Sequence, residues 1–254
     1  MPAAVITGAG HGIGRALARR LAAGGYRVVV NDLDQDAARR VAAEIGGVAA
    51  PGDCASATGV AELLSTARAS LERIDVYFAN AGIDTGGGLD SADSDWAGAF
   101  EVNVLAHVRA ARELVPYWLA DGRGGRFVIT ASAAGLLTML GNAPYSTSKH
   151  AALGFAEWLS ATYRDAGIVV QAVCPQGVRT QMLDNLGRLR PLLDNHSALT
   201  PEQVADAVWQ ALGHDRFLIL PHPEVHEFYQ RRAADTDAWL RGMNRLQQRL
   251  DIPR

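Results

Sequence analysis

Short runs of consecutive apolar, largely β-branched residues recur along the chain, separated by longer stretches in which Ala, Leu and Val return every three or four positions. The short runs predict strands at AAVIT near residue 5, YRVVVN at 26–31, GVAAP near 50, IDVYFAN at 74–80, GRFVITAS at 125–132, GIVVQAVC at 167–174 and RFLIL at 216–220. The longer stretches predict helices, and strands alternating with helices are the signature of βαβ units around a parallel sheet. Several runs are apolar at successive rather than alternate positions, so helices should cover both faces of that sheet. The expected fold is α/β, a doubly wound open sheet of about seven strands filling one domain over 1–254.

Two segments depart from the alternation. After Thr180 the sequence QMLDNLGRLRPLLDNHS reads as an irregular or helical excursion, a candidate pocket segment over about 178–200. A C-terminal helical extension is expected over about 222–250, where Trp239, Leu240, Met243, Leu246 and Leu250 fall at helical spacing. That face could pack on the chain's own core or against another subunit.

Composition narrows the class. Apolar residues make up 48% and charged residues 20% of 254, ordinary for a globular protein with a filled core. A net charge of -3, with arginines scattered rather than clustered, speaks against a nucleic-acid partner. No apolar stretch is long enough to cross a membrane, and the N-terminus lacks the pattern of a secretory signal, so a cytoplasmic location is expected. Cys54 and Cys174 lie far apart without a CxxC or Cys/His cluster; they are expected to be structural thiols, with no metal site.

Directly after the first strand comes TGAGHGIGRALARRL, in which Gly8, Gly10, Gly12 and Gly14 lead into an amphipathic helix. Glycine allows positive φ and close approach of a pyrophosphate, whose charge meets the free N–H groups of the helix N-terminus. GxGxG turns also bind S-adenosylmethionine, which leaves a methyltransferase open at this point. Asp32, ending VVVND some twenty residues on, can accept hydrogen bonds from both ribose hydroxyls and repel a 2'-phosphate, which predicts NAD over NADP; it could instead cap the next helix. His11 could weakly favour a phosphate. Asp53 and Cys54 in PGDCAS could meet the adenine, and Asn80, Ala81 and Gly82 in FANAG could line the adenosine side.

Lys149 is the only lysine in the chain, every other long-chain cation being arginine, and it stands four residues after Tyr145 in YSTSK. Residues i and i+4 share a helix face. Hydride transfer from an alcohol needs a base for the hydroxyl proton, and an unperturbed tyrosine near pKa 10 is a poor one at neutral pH. A compact ammonium nearby would stabilise the phenolate and could still reach ribose hydroxyls, a geometry unsuited to a planar guanidinium. Ser132, at the end of the fifth strand, could hold the substrate oxygen, and Asn103 lies in the helix FEVNVLAHV.

These residues resemble the short-chain dehydrogenase/reductase family from Val5 to about Leu220. TGAGHGIG is similar to the family's TGxxxGxG, FANAG to its NNAG, and Asn103, Ser132, Tyr145 and Lys149 to its Asn-Ser-Tyr-Lys tetrad in order. The resemblance implies a Rossmann-type fold and NAD(P), cradled by Gly8, Gly10, His11, Gly12, Ile13 and Gly14. It implies Tyr145 as acid/base, Lys149 on the nicotinamide ribose and the tyrosine pKa, Ser132 on the substrate oxygen, and Asn103 holding a water in a proton relay. Pro175, Gly177, Val178 and Thr180 match the segment that meets the carboxamide, although Gln176 stands between Pro175 and Gly177 and could point into the pocket. Ala79 replaces the first Asn of NNAG.

Substrate choice in that family falls to the segments AAGLLTMLGNAPY and GVRTQMLDNLGRLRPLL, where Leu136, Leu137, Met139, Met182, Leu183 and Leu186 offer apolar surface. An apolar secondary alcohol or ketone is expected, contacted by Ser132, Leu136, Met139, Tyr145, Gln176 and Met182. Arg179 could meet a substrate anion or face solvent. The resemblance also implies a homodimer or homotetramer. The competing reading is a non-catalytic regulator that senses NAD(P) on the same fold.

Overall fold

The computed structural model describes residues 1–186, 198–250 and 252. Seven parallel strands form one sheet: β1 Ala3–Ile6, β2 Arg27–Val30, β3 Val48–Ala49, β4 Val76–Ala79, β5 Gly125–Thr130, β6 Ile168–Val173 and β7 Leu218–Ile219. Their order is β3-β2-β1-β4-β5-β6-β7. Every expected strand is present, shortened at its ends. Ser132 therefore lies two residues beyond β5, in the turn that follows it. The order reverses direction between β1 and β4, and the crevice above their carboxyl ends is where ligands bind in such sheets.

Helices cover both faces: α1 Gly12–Ala23, α2 Gln35–Ile45, α3 Ala57–Ser70, α4 Asp93–Phe100, α5 Ala106–Asp121, α6 Ala134–Leu137, α7 Ala143–Tyr163, α8 Gln181–Asp184, α9 Pro201–Ala211, α10 Glu224–Ala234 and α11 Thr236–Arg249. A π-helical turn, Glu101–Leu105, joins α4 to α5 and carries Asn103. Local sequence sets several ends. Asp34 caps α2 by accepting from Ala37 N at 3.0 Å, and Thr200 with Gln203 closes a capping box on α9 behind Pro201.

Two apolar layers hold the sheet. One buries Val5, Tyr77, Phe127 and Ile129 under α3, α5 and α7; the other buries Ile6, Val30, Phe78 and Val128 under α1, α2 and α9. Strand residues thus alternate between two buried faces, which is why the strands read as unbroken apolar runs. Trp118 closes the first layer, fully buried, its Nε1 donating to Ile74 O at 2.7 Å. A Cβ on Gly125 would stand 2.2 Å from the Trp118 ring, so glycine is required there.

Residues 187–197 of the excursion read after Thr180 lie outside the described residues. The part that precedes them forms α8, and Leu199 pairs with Val178 in an isolated parallel bridge.

Candidate active site

A cavity of about 1070 Å³ opens above the carboxyl ends of the strands and runs from the glycine turn to the C-terminal helices. Gly8, His11, Gly12, Ile13 and Gly14 line it; Gly10 does not. The Gly10 amide instead donates to Asp32 Oδ2 at 2.8 Å, so this glycine shapes the turn from behind. Gly8 and Gly12 have φ of +62° and +48°. A Cβ on Gly14 would fall 2.1 Å from Gly8 O, so only glycine lets the helix start this close to the strand. The N-terminus of α1 has no acidic residue in its first turn and no side-chain cap. A cradle that a Cβ would fill, at an uncapped helix N-terminus, fits a pyrophosphate.

Asp32 borders the cavity with its carboxylate held in place by Gly10 N and by Asp34 N at 3.0 Å to Oδ1. It does not cap α2; Asp34 does. His11 is exposed and lies 3.6 Å from Asp34 Oδ2. Asp53 and Cys54 line the same end, where burial first and the nearby Asp53 charge second push the Cys54 thiol up to about 12, leaving it an unreactive thiol. Cys174 is buried and is likewise pushed up to about 12 by burial.

Asn80, Ala81 and Gly82 also line the cavity. Asn80 is a strut: Nδ2 donates to Thr7 O at 3.0 Å and Gly8 O at 3.3 Å, and Oδ1 accepts from Thr130 Oγ1 at 3.0 Å. The Thr7 hydroxyl oxygen in turn accepts from Asn80 N and Ala81 N, both at 3.0 Å. Thr7, the first residue of TGAGHGIG, thereby ties β1 to β4 at the switch point.

Ser132, Tyr145 and Lys149 line the middle of the cavity. Tyr145 and Lys149 project from one face of α7, and Lys149 Nζ lies 5.6 Å from the Tyr145 ring centroid. Nζ donates to Thr130 O at 3.0 Å. Burial pushes the Tyr145 hydroxyl up to about 12, opposed by its hydrogen bond with Ser132. Burial pulls Lys149 down to about 8. The sequence expectation of a depressed tyrosine is therefore not met in the protein alone; both buried groups favour their neutral forms.

Asn103 does not line the cavity. It is fully buried, with Oδ1 accepting from Ile83 N and Nδ2 donating to Ile83 O, each at 2.9 Å, and to Ser148 Oγ at 3.0 Å. Both amide hydrogens are spent on protein, so the side chain braces the Gly82–Ile83 segment against α7.

On the substrate side, Leu136 is 1% exposed within the core and does not reach the cavity. Its neighbour Leu137 does, with Thr138, Met139 and Leu140. A four-residue helix is too short for periodicity to tell which of two leucines faces in. Thr138 adopts φ +70°, the one such residue other than glycine among those described. Pro175, Gln176, Gly177, Val178, Thr180, Met182, Leu183 and Leu186 line the next wall, while Arg179 is exposed and does not. The remaining wall was not expected: Phe228, Trp239, Met243 and Leu246 of α10 and α11 face the cavity. The helical spacing of Trp239, Met243 and Leu246 was the available signal.

The pattern of the short chain dehydrogenase family matches residues 2–190. The 1-deoxy-11-beta-hydroxypentalenate dehydrogenase of Streptomyces avermitilis is 38% identical over 246 residues, covering 93% of this chain and 89% of that protein. Epidermal retinol dehydrogenase 2 of Mus musculus is 32% identical, covering 81% of this chain and 70% of its own length. A short-chain dehydrogenase/reductase from Burkholderia phymatum, solved in complex with NAD, superposes with a TM-score of 0.87 at 29% identity, over 93% of this chain and 94% of that one. The chain belongs to the short-chain dehydrogenase/reductase family. It is an oxidoreductase of alcohols and ketones with a Rossmann-type fold, and the readings as a regulator and as a methyltransferase are set aside.

Proposed function

We propose that the protein is an NAD(H)-dependent dehydrogenase of apolar secondary alcohols, or in reverse a reductase of the ketones. One observation carries this reading: Ser132, Tyr145 and Lys149 share a single cavity with the uncapped glycine cradle and Asp32. Gly8, Gly12, Ile13 and Gly14 would hold the pyrophosphate, Asp32 the adenosine ribose, and Val178 and Thr180 the carboxamide end. Bound there, NAD supplies the hydride acceptor.

The protein's own part is the proton. Burial favours the neutral form of each group, so a Tyr145 phenolate needs the Lys149 ammonium, 5.6 Å from its ring centroid, to offset its charge; in that state the phenolate is a base for the substrate hydroxyl. Ser132, hydrogen-bonded to the Tyr145 hydroxyl, orients the substrate oxygen toward it. Thr130 O fixes the Lys149 ammonium, and Asn103 acts as a positioning residue behind both. Leu137, Met139, Met182 and Leu183 with the α10–α11 wall enclose an apolar substrate body.

The Asp32 carboxylate borders the cofactor end of the cavity, where its charge would repel a 2'-phosphate, which supports NAD over NADP. Titration followed by nicotinamide fluorescence is expected to give NADH the lower Kd by about tenfold or more, since like charges brought together cost several kcal/mol. Tighter NADPH binding overturns the preference, and no binding of either overturns the reading. A homodimer or homotetramer, a small-molecule substrate and a cytoplasmic setting complete the proposal. Trp158, on the outer face of α7 and 57% exposed beside Phe155, offers a surface for such a contact. No described helix is long and apolar enough to cross a membrane.

A further inference from the structure

The wall formed by α10 and α11 is thinly anchored by apolar contacts. α10 buries Val225 fully and α11 buries no residue; Phe228, Tyr229 and Trp239 rest partly buried on the core, with Trp239 and Phe228 ring centroids 6.3 Å apart. A polar contact fastens it elsewhere. Arg231 faces the cavity, whereas the next residue, half-buried Arg232, reaches away from it into the junction of α6 and α7. Its Nη1 donates to Leu136 O and lies 3.2 Å from His150 Nε2.

The imidazole is satisfied at both ends. His150 Nδ1 lies 2.8 Å from Ser146 O. A carbonyl only accepts, so Nδ1 carries the hydrogen; a guanidinium only donates, so Nε2 offers its lone pair. The contacts thus assign one neutral tautomer. Ser146 continues the chain, its hydroxyl accepting from Met139 N at 2.9 Å and donating to Met139 O at 3.0 Å. His150 follows Lys149, Ser146 follows Tyr145, and Met139 lines the cavity. The bonds close a ring through α10, α6, α7 and the Thr138–Leu140 segment.

We propose that Arg232 and His150 form a latch that seats the α10–α11 wall against the catalytic helix, making Arg232 a positioning residue for the apolar body of the substrate. The side chain touches neither cofactor nor reacting atoms; it acts by fixing where Trp239, Met243 and Leu246 stand. Its kinetic consequence rests on the proposed apolar-alcohol reading, while the structural consequence does not.

Arg232→Met keeps the apolar stem and removes the donors. Hydrogen–deuterium exchange should then quicken about tenfold or more across 224–249, as expected for loss of the charge-assisted contacts to Leu136 O and His150 Nε2, with α7 little changed. With 2-decanol as substrate KM should rise about tenfold, while kcat, the Kd for NADH and turnover of propan-2-ol stay near their original values. Arg232→Lys, which can still donate to Leu136 O, should recover part of the loss. His150→Leu, which keeps the Arg232–Leu136 O bond, should reproduce part of it, and the double variant Arg232→Met/His150→Leu should be no worse than Arg232→Met alone. Unchanged exchange over 224–249 overturns the latch, as does an equal fall in kcat for both alcohols with weakened NADH binding. If Arg232→Met does not fold, Arg232→Lys and His150→Leu carry the same comparison. Failure of the unsubstituted protein to oxidise 2-decanol overturns the apolar-substrate reading instead, and the exchange data still decide the latch.

Discussion

Tyr145 and Lys149 are both buried in a site that must also carry charge, and burial disfavours the charged form of each. For Lys149 the sign is clear. Its folded pKa of about 8 lies below the usual 10.5, so as pH falls the unfolded chain takes up the proton first. Stability is lost between pH 10.5 and 8 and stays lost below that window. Lys149→Met should therefore be more stable than the unsubstituted protein at pH 7, by about 1–3 kcal/mol after loss of the Thr130 bond, and inactive. Urea unfolding at pH 7 and pH 10 checks this: the gap should shrink at the higher pH, and a less stable Lys149→Met at pH 7 refutes it. Tyr145 acts in the other direction, its phenol staying protonated to about 12 when folded, so stability should fall between pH 10 and 12. At this scale the sequence showed which groups meet, because i, i+4 spacing is geometric. It did not show their ionisation, which depends on burial by residues far along the chain.

Among the elements, the π-helical turn carrying Asn103 has the most specific task. The wider turn sets its amide against the Ile83 backbone, between the loop after β4 and helix α7. Asn103→Leu keeps the volume but strands Ile83 N and Ile83 O and leaves Ser148 Oγ with only its bond to Tyr145 O. A loss of about 2–4 kcal/mol in urea unfolding is expected, with kcat changing more than the Kd for NADH, because the freed Gly82–Ile83 segment lies beside Lys149 while Asn80 and Ala81 stay tied to Thr7 at the glycine cradle. A variant with unchanged kcat would remove Asn103 from the positioning role. The strands and the glycine turn were legible because consecutive apolar residues and a strand–glycine–helix context each have few alternative structures. The π turn left no mark, since one residue of altered pitch does not disturb the apolar spacing of FEVNVLAHV. The exchange of Leu137 for Leu136 has the same origin: in α6 the pattern is shorter than its own period.

Across the whole molecule, parallel strand order places the glycine turn, the Asn80 strut, Ser132 and the Pro175–Thr180 segment above one sheet edge, and that was readable from the order of motifs. What covers the far end was not, because amphipathic spacing says that a helix face is covered without saying by what. A chain ending after Ala234 tests the separation: α11 has no residue of its own in the core and meets it through partly buried Trp239, with Ile252 buried beyond it, so thermal unfolding should shift by only a few degrees and NADH should bind as before, while KM for 2-decanol rises. A large fall in Tm would instead make α11 part of the core. The shared family pattern ends at residue 190, and the wall that shapes the substrate end is built from residues 224–249. The two stretches therefore carry separable tasks. A substitution in the first disturbs proton transfer and cofactor geometry together, whereas one in the second reshapes the substrate end while leaving Ser132, Tyr145, Lys149 and the glycine cradle in place.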